Sequence, residues 1–315
     1  MPDSPDVILV TGSLGNAGWK LVRHLARHST AGGVVAVDVV PAKGDHLDTL
    51  ERIAGDRSIP GPRVELREAD LTDWTDVRWR EPLARARTIV HLAAQNPRPE
   101  ATWGDAVASL DMTANLVAAA ADSAQLRRLV FVSSSHVMGR YLEDDGLGPG
   151  ELRTDREPAA GTVWRAGARR MDSSPYATAK LAGERMCRTL ARRSAGRCTV
   201  VCVRIGWVQV GANRPETLSA AGTPGMDPVR GAEADTDPEA RRAERWFREL
   251  WLSNRDYVRL MDRALEADGT DWPEGFVIVN GMSRNRGLRW SLEEARRWLQ
   301  WEPLDGIDDP RPNSL

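Results

Sequence analysis

Cysteine, lysine and tyrosine are scarce in this chain of 315 residues, and no sign of charge is in clear excess. The three cysteines, Cys187, Cys198 and Cys202, show neither metal-ligand nor redox spacing. A zinc module and a disulfide-stapled secreted domain are therefore not expected, no metal is predicted, and free thiols fit a reducing cytoplasm. The Lys+Arg total of 43 stands against 45 Asp+Glu. That balance offers no basic stripe for a nucleic acid or an anionic membrane surface. No apolar run approaches the roughly 20 residues of a membrane span. The opening Met-Pro-Asp-Ser-Pro-Asp lacks the basic start and apolar stretch of a signal peptide. A cytoplasmic location is the expectation. Lysine occurs only at Lys20, Lys43 and Lys180, and tyrosine only at Tyr141, Tyr176 and Tyr257.

Against these absences stands a regular alternation. Apolar runs predict strands at Val7 to Val10, Val34 to Val40, Val64 to Arg67, Thr88 to Ala93, Leu129 to Ser133 and Thr199 to Ile205. Between them, helical spacing covers Trp19 to Arg27, Leu110 to Ala121 and Tyr176 to Arg192. Strands of this near-continuous apolar kind, alternating with helices, predict an α/β fold with a parallel sheet buried on both faces. Two stretches rich in Gly, Pro and charge, Glu143 to Asp172 and Gly211 to Arg242, read as long loops. A helix from Trp251 to Ala267, a strand from Phe276 to Asn280 and a helix from Ser291 to Gln300 follow. Ser291 and Glu294 suit a capping box, and the proline-rich tail after Glu302 reads as loose.

Thr11-Gly12-Ser13-Leu14-Gly15-Asn16-Ala17-Gly18 joins the first strand to the first helix. Glycines there let the backbone approach a pyrophosphate, and the helix start offers free N–H groups. Asp38 closes the second strand about 20 residues on, where a carboxylate accepts from a ribose diol and repels a 2′-phosphate. The next residues, Val39-Val40-Pro41, offer no arginine to welcome that phosphate. NAD is the expected cofactor. Asp70-Leu71, after the third strand, would flank the adenine.

Tyr176 and Lys180 lie one helical turn apart on one face. With so few of either residue, chance would give this spacing roughly 3% of the time. A nearby positive charge favours the phenolate, which can remove a hydroxyl proton while the carbon gives up hydride. Ser133, Ser134 and Ser135 end the fifth strand, where a hydroxyl can meet the reacting oxygen.

TGSLGNAG, Asp38, ADL, HLAA, FVSSSHVMG and YATAK, in that order, resemble the extended short-chain dehydrogenase/reductases, the NAD-dependent epimerase/dehydratase superfamily. The resemblance implies a doubly wound Rossmann sheet with a smaller C-terminal substrate-binding region. It divides the chain into 1–206, carrying cofactor and catalytic residues, and 207–315, mostly substrate-binding, with a long insertion at 211–245. It implies Ser134 as catalytic serine, Tyr176 as acid/base, and Lys180 as helper and ribose ligand. Gly12, Gly15, Asn16, Ala17, Gly18, Asp38, Asp70, Leu71, Ala93, Ala94 and Ile205 would hold the cofactor, in a homodimer.

The run Ser134 to Tyr141, Val203-Arg204-Ile205-Gly206 and Trp251-Leu252-Ser253 with Asp256 are similar to uronate dehydrogenases. Those enzymes oxidise the anomeric carbon of a free sugar acid. The likeness assigns substrate contacts to Asn96, Ser135 and His136. It also departs. The arginine that grips the substrate carboxylate falls at Trp246, with Arg245 and Arg248 as near substitutes, and the fourth-helix asparagine of the proton relay falls at Ser109. Trp207 and Trp246 lie where substrate contacts are expected. Uronates are therefore expected to be poor substrates, with a larger, ring-bearing or phosphorylated sugar preferred. Three readings stay open: a sugar dehydrogenase, a sugar or nucleotide-sugar epimerase or dehydratase with tightly bound NAD, and an NAD-sensing regulator. The last commonly lacks the tyrosine or lysine, and both are present.

Overall fold

The computed structural model describes residues 6–309 apart from 57, 60, 96–100, 167–168 and 219–236. The strands are β1 (Val7–Thr11), β2 (Gly33–Asp38), β3 (Val64–Glu68), β4 (Thr88–His91), β5 (Arg128–Ser134), and, after a hairpin of β6 (Val163–Ala166) and β7 (Arg169–Asp172), β8 (Thr199–Ile205) and β9 (Phe276–Gly281); outside the hairpin all but the polar β3 are apolar runs rich in β-branched residues. Seven of them make one sheet in the order β3-β2-β1-β4-β5-β8-β9. Every pair in it is parallel. The doubly wound expectation is met, and β9, from the C-terminal third, completes the same sheet.

Helices cover both faces: α1 (Asn16–His28), α2 (Gly44–Gly55), α3 (Val77–Arg85), α4 (Trp103–Asp122), α5 (Ser174–Ser194), α6 (Pro238–Glu249), α7 (Asn254–Glu266) and α8 (Glu293–Leu299). Val10, Leu21, Val130, Val203, Leu260 and Leu299 share one apolar cluster. Leu9, Val37, Ile89, Leu116, Phe131 and Cys202 share the other. Alternate residues of each strand thus feed opposite layers, each fully buried large apolar side chain contributing about 1.5–3 kcal/mol. No helix among the described residues is long and apolar enough to cross a membrane.

Several local expectations are corrected. The stretch read as a loop over Glu143 to Asp172 contains the β6–β7 hairpin, with Trp164 and Met171 turned inward and Arg165 and Arg170 outward. Gly211 to Arg242 ends inside α6, and its middle lies outside the described residues. The helix expected from Trp251 starts at Asn254, because Ser253 Oγ accepts from Asp256 N and caps it, while Trp251 bridges to Trp207. No capping box forms at Ser291. Leu292 takes the cap position and Ser291 Oγ accepts from Glu293 N. The tail is tied down as far as it is described: Asp256 accepts from Leu304 N and Asp305 N, and Ser253 donates to Asp305. Pro310 and Pro312 lie outside the described residues.

Candidate active site

The turn after β1 is built by close contact. Gly12 has φ 68°, and a Cβ there would lie 2.6 Å from Ala93 N. A Cβ on Gly18 would lie 2.0 Å from Gly12 O, so α1 can start against the turn only without a side chain. Gly15 is different: its nearest neighbour would be Gly12 O at 3.4 Å. It is also the N-cap of α1, with no side chain capping the helix. The free N–H groups and open space suit a diphosphate. Ser13 Oγ is buried there without a partner among the described residues. Asp38 Oδ2 accepts from Leu14 N at 2.8 Å, linking the end of β2 to this turn. Its second oxygen accepts from Val40 N at 3.1 Å. A carboxylate oxygen has more than one acceptor site, so both remain able to receive a ribose hydroxyl. The cradle fits a dinucleotide.

Ala93 and Ala94 follow β4 beside Gly12, and Ile205 ends β8. Asn16 Nδ2 donates to Val208 O at 2.8 Å and Ala17 O accepts from Tyr257 at 3.0 Å, so both tie neighbouring segments to α1. Asp70 Oδ1 accepts from Thr72 N and Oγ1, a local turn, and Leu71 is buried in the sheet's second apolar layer.

At the carboxyl end of the sheet, β5 delivers Ser134 and α5 delivers Tyr176 and Lys180. Lys180 Nζ lies 5.9 Å from the centre of the Tyr176 ring and 5.0 Å from that of Phe131. Ser134 hydrogen-bonds the phenol, but burial dominates and pushes the Tyr176 pKa up to about 12. Burial also brings Lys180 down to about 8. For the phenol, the loss of water is thus the larger influence, ahead of the Ser134 hydrogen bond. Ser133, one residue earlier, turns away and donates to Glu184 at 2.6 Å. Ser109 Oγ accepts from Gln95 N at 2.9 Å, fixing the segment after β4.

Ser135 and His136 open a 3₁₀ segment, Ser135–Glu143. Ser134 Oγ accepts from His136 N at 3.2 Å. The imidazole stacks on Trp164 at 6.3 Å and 9° and meets Tyr176 edge-on at 6.2 Å. Burial lowers its pKa to about 4, so the ring is neutral near pH 7. Trp164 touches Phe247 of α6 at 4.7 Å, and Phe247 lies 6.0 Å from Trp207. An aromatic wall therefore runs from Tyr176 to Trp207.

Other substrate assignments are not gathered here. Trp246 is fully buried, packed on Trp290 at 4.4 Å and beneath Arg289 at 4.7 Å. It is a core residue, because α6 turns Ala243, Trp246, Phe247 and Leu250 inward together. Arg245 is exposed and acts on Asp145 and Glu249, and Arg248 is half-buried. Asn96 lies outside the described residues. Thr162, Trp164 and Ser173, which contact His136, are missing from the residues the sequence singles out. The hairpin that carries Trp164 has a signal, β-prone Thr162-Val163-Trp164 running into Gly167-Ala168, but its arginines obscure the strand pattern.

The profile of the NAD dependent epimerase/dehydratase family matches residues 8–222. An L-arabinose 1-dehydrogenase (NAD(P)(+)) of Haloferax volcanii is 33% identical over 82% of this chain and 91% of its own length. An NAD-dependent glucose-6-phosphate dehydrogenase of the same organism is 30% identical over 87% of this chain and 91% of its own. Among solved structures, glucuronic acid dehydrogenase from Chromohalobacter salexigens superposes with a TM-score of 0.64 at 21% identity, over 97% of this chain and 86% of that one.

Proposed function

Because this chain belongs to the NAD-dependent epimerase/dehydratase family, we propose that it oxidises the anomeric hydroxyl of a free aldose, with NAD as hydride acceptor. The observation that carries the reading is the convergence of Ser134, Tyr176 and Lys180 at the carboxyl end of the sheet beside the glycine cradle. Both curated relatives are named as sugar dehydrogenases, one at position 1. Trp207, only partly buried and backed by the core rings of Phe247 and Trp164, offers an apolar ring face suited to the C–H face of a sugar.

Ser134 donates to or accepts from the reacting hydroxyl and holds it against Tyr176. Tyr176, as phenolate, takes the hydroxyl proton. Lys180 lowers the cost of that phenolate and reaches the cofactor ribose. Bound NAD, held by the Gly12–Gly18 turn and Asp38, supplies the nicotinamide that accepts hydride.

The test is NADH formation across L-arabinose, D-glucose, glucose 6-phosphate, glucuronate and galacturonate, with wild type and Tyr176→Phe in parallel. Oxidation of an aldose, lost in Tyr176→Phe while calorimetric NAD binding persists, supports the reading. Sugar conversion with no net NADH would instead make the chain an epimerase, and a fully active Tyr176→Phe would remove the proposed base.

A further inference from the structure

We propose that Thr162 and Ser173 are positioning residues that fix His136 with Nδ1 unprotonated and Nε2–H free to donate to an oxygen of the sugar. The sugar half of this statement rests on the function proposed above. The geometry of the imidazole does not.

The argument is a hydrogen-bond inventory in a buried place. Thr162 and Ser173 are both fully buried. Thr162 N donates to Ser173 Oγ at 2.8 Å, and Ser173 N donates to Thr162 O at 3.0 Å. The two residues thereby clamp the open end of the β6–β7 hairpin. Both hydroxyls also face one ring nitrogen: Thr162 Oγ1 is 2.7 Å and Ser173 Oγ 3.0 Å from His136 Nδ1. Ser173 Oγ has a second acceptor for its proton in Thr162 O at 3.3 Å. For the Thr162 hydroxyl, His136 Nδ1 is the acceptor at hand. A protonated Nδ1 would take that acceptor away and leave a buried O–H unmatched, which buried polar groups rarely tolerate. A bare Nδ1 satisfies every group: Thr162 donates to the ring, Ser173 to the Thr162 carbonyl. The ring proton then belongs on Nε2, across the imidazole from the clamp.

The surroundings hold this arrangement in place. A Cβ on Gly139 would sit 2.3 Å from both Thr162 N and Thr162 Oγ1. Gly161, with φ 98°, would place a Cβ 2.2 Å from Ser174 Oγ. Only glycines let the segment of Thr162, leading into β6, pass between the 3₁₀ segment and the start of α5. Trp164 then lies parallel to the imidazole and sets its plane. Burial keeps the ring neutral, so the clamp supplies an uncharged donor rather than a cation. Such a donor suits a hydroxyl or ring oxygen of a sugar.

Nitrogen NMR of the free ¹⁵N-labelled protein at pH 7.5 reads the tautomer directly, with His136 identified among the 5 histidines by its loss in His136→Gln. The Nε2–H form is expected in wild type, and a mixed or Nδ1–H form in Thr162→Val. In kinetics, Thr162→Val should raise the KM for the oxidised aldose by about tenfold while kcat stays within about threefold. NAD affinity should not move. Thr162→Ser should restore both tautomer and KM, and Ser173→Ala should lie between. An Nδ1–H tautomer in wild type, or a tautomer unmoved in both Thr162→Val and Ser173→Ala, overturns the positioning role. If Thr162→Val unfolds, Ser173→Ala and Thr162→Ser decide it by the same spectrum. Absence of NADH with every sugar, alongside the expected tautomers, counts against the proposed activity and leaves the clamp supported.

Discussion

Arg204 of β8 and Glu184 of α5 meet through two parallel hydrogen bonds, Nε to Oε1 and Nη2 to Oε2, each 2.8 Å, with both side chains buried. Glu184 Oε1 also accepts from Ser133. The pair therefore joins the helix bearing Tyr176 and Lys180 to β8, and the Ser133 bond ties the same carboxylate to β5, the strand bearing Ser134. Two charges out of water are tolerated only because each satisfies the other. Arg204→Met and Glu184→Leu should each cost about 3–5 kcal/mol by urea unfolding, and the two together should cost less than either single change. Additive costs would show that the two residues do not act as a pair.

Acid should weaken the fold before the carboxylates titrate. Burial holds His91 at about 3 and His136 at about 4, against 6.5 for a free histidine. Below pH 6.5 the unfolded chain binds protons that the folded chain refuses. Stability present above that pH is therefore lost as pH falls towards 4. Between pH 6 and 5 each such histidine contributes up to about 1.4 kcal/mol per pH unit. His91→Gln should remove about one proton from the slope measured by urea unfolding across that interval. An unchanged slope would mean that His91 already binds a proton in the fold.

The glycines of the first turn should separate folding from cofactor binding. Gly18→Ala forces a Cβ to within 2.0 Å of Gly12 O and should lower the melting temperature or prevent folding. Gly15→Ala meets nothing closer than 3.4 Å. It should melt within about 2 °C of wild type, yet bind NAD about tenfold more weakly, as measured by calorimetry. Equal damage to stability from both changes would contradict the open space described at Gly15.

Asp38 should set the choice of cofactor. NAD should bind more tightly than NADP, and Asp38→Ala should narrow the gap by about tenfold or more, because a carboxylate there opposes a 2′-phosphate. Calorimetry with both nucleotides measures it. Equal affinities in the wild type would show that Asp38 does not act on the 2′ position.

Trp246 should matter for the fold and little for the sugar. Trp246→Ala should cost about 3–5 kcal/mol by urea unfolding. Trp246→Phe should leave the sugar KM within about twofold. A large KM change in that milder variant would return Trp246 to the substrate site.

The sheet was readable because its strands, the polar β3 apart, are apolar runs, and the glycine turn, Asp38 and the Tyr176/Lys180 pair stood out by position along it, whereas Ser134 was singled out from Ser133 and Ser135 only by the family resemblance. What stayed hidden depends on contacts between distant segments. The β6–β7 hairpin buries Trp164 and Met171 but surrounds them with arginine, so its composition resembles a loop. Thr162 and Ser173 acquire meaning only when the hairpin closes on His136. Trp246 carried the opposite lesson. Counting from Trp251 puts it at an arginine's place, whereas the spacing of Ala243, Trp246, Phe247 and Leu250 already traces one buried helical face.

The strand order also constrains how the chain reaches this state. At the centre of the sheet, Thr11 meets His91 across 80 positions, and Arg128 meets Thr199 across 71. Parallel pairing must close such loops before its ladder rewards them, so refolding from denaturant is expected to be slow for a chain of this size. The glycine cradle and the Tyr176 cluster both straddle those seams, so a nucleotide finds its site only on a chain that has finished pairing. Added NAD should thus lengthen the lifetime of the folded protein while leaving its rate of formation unchanged.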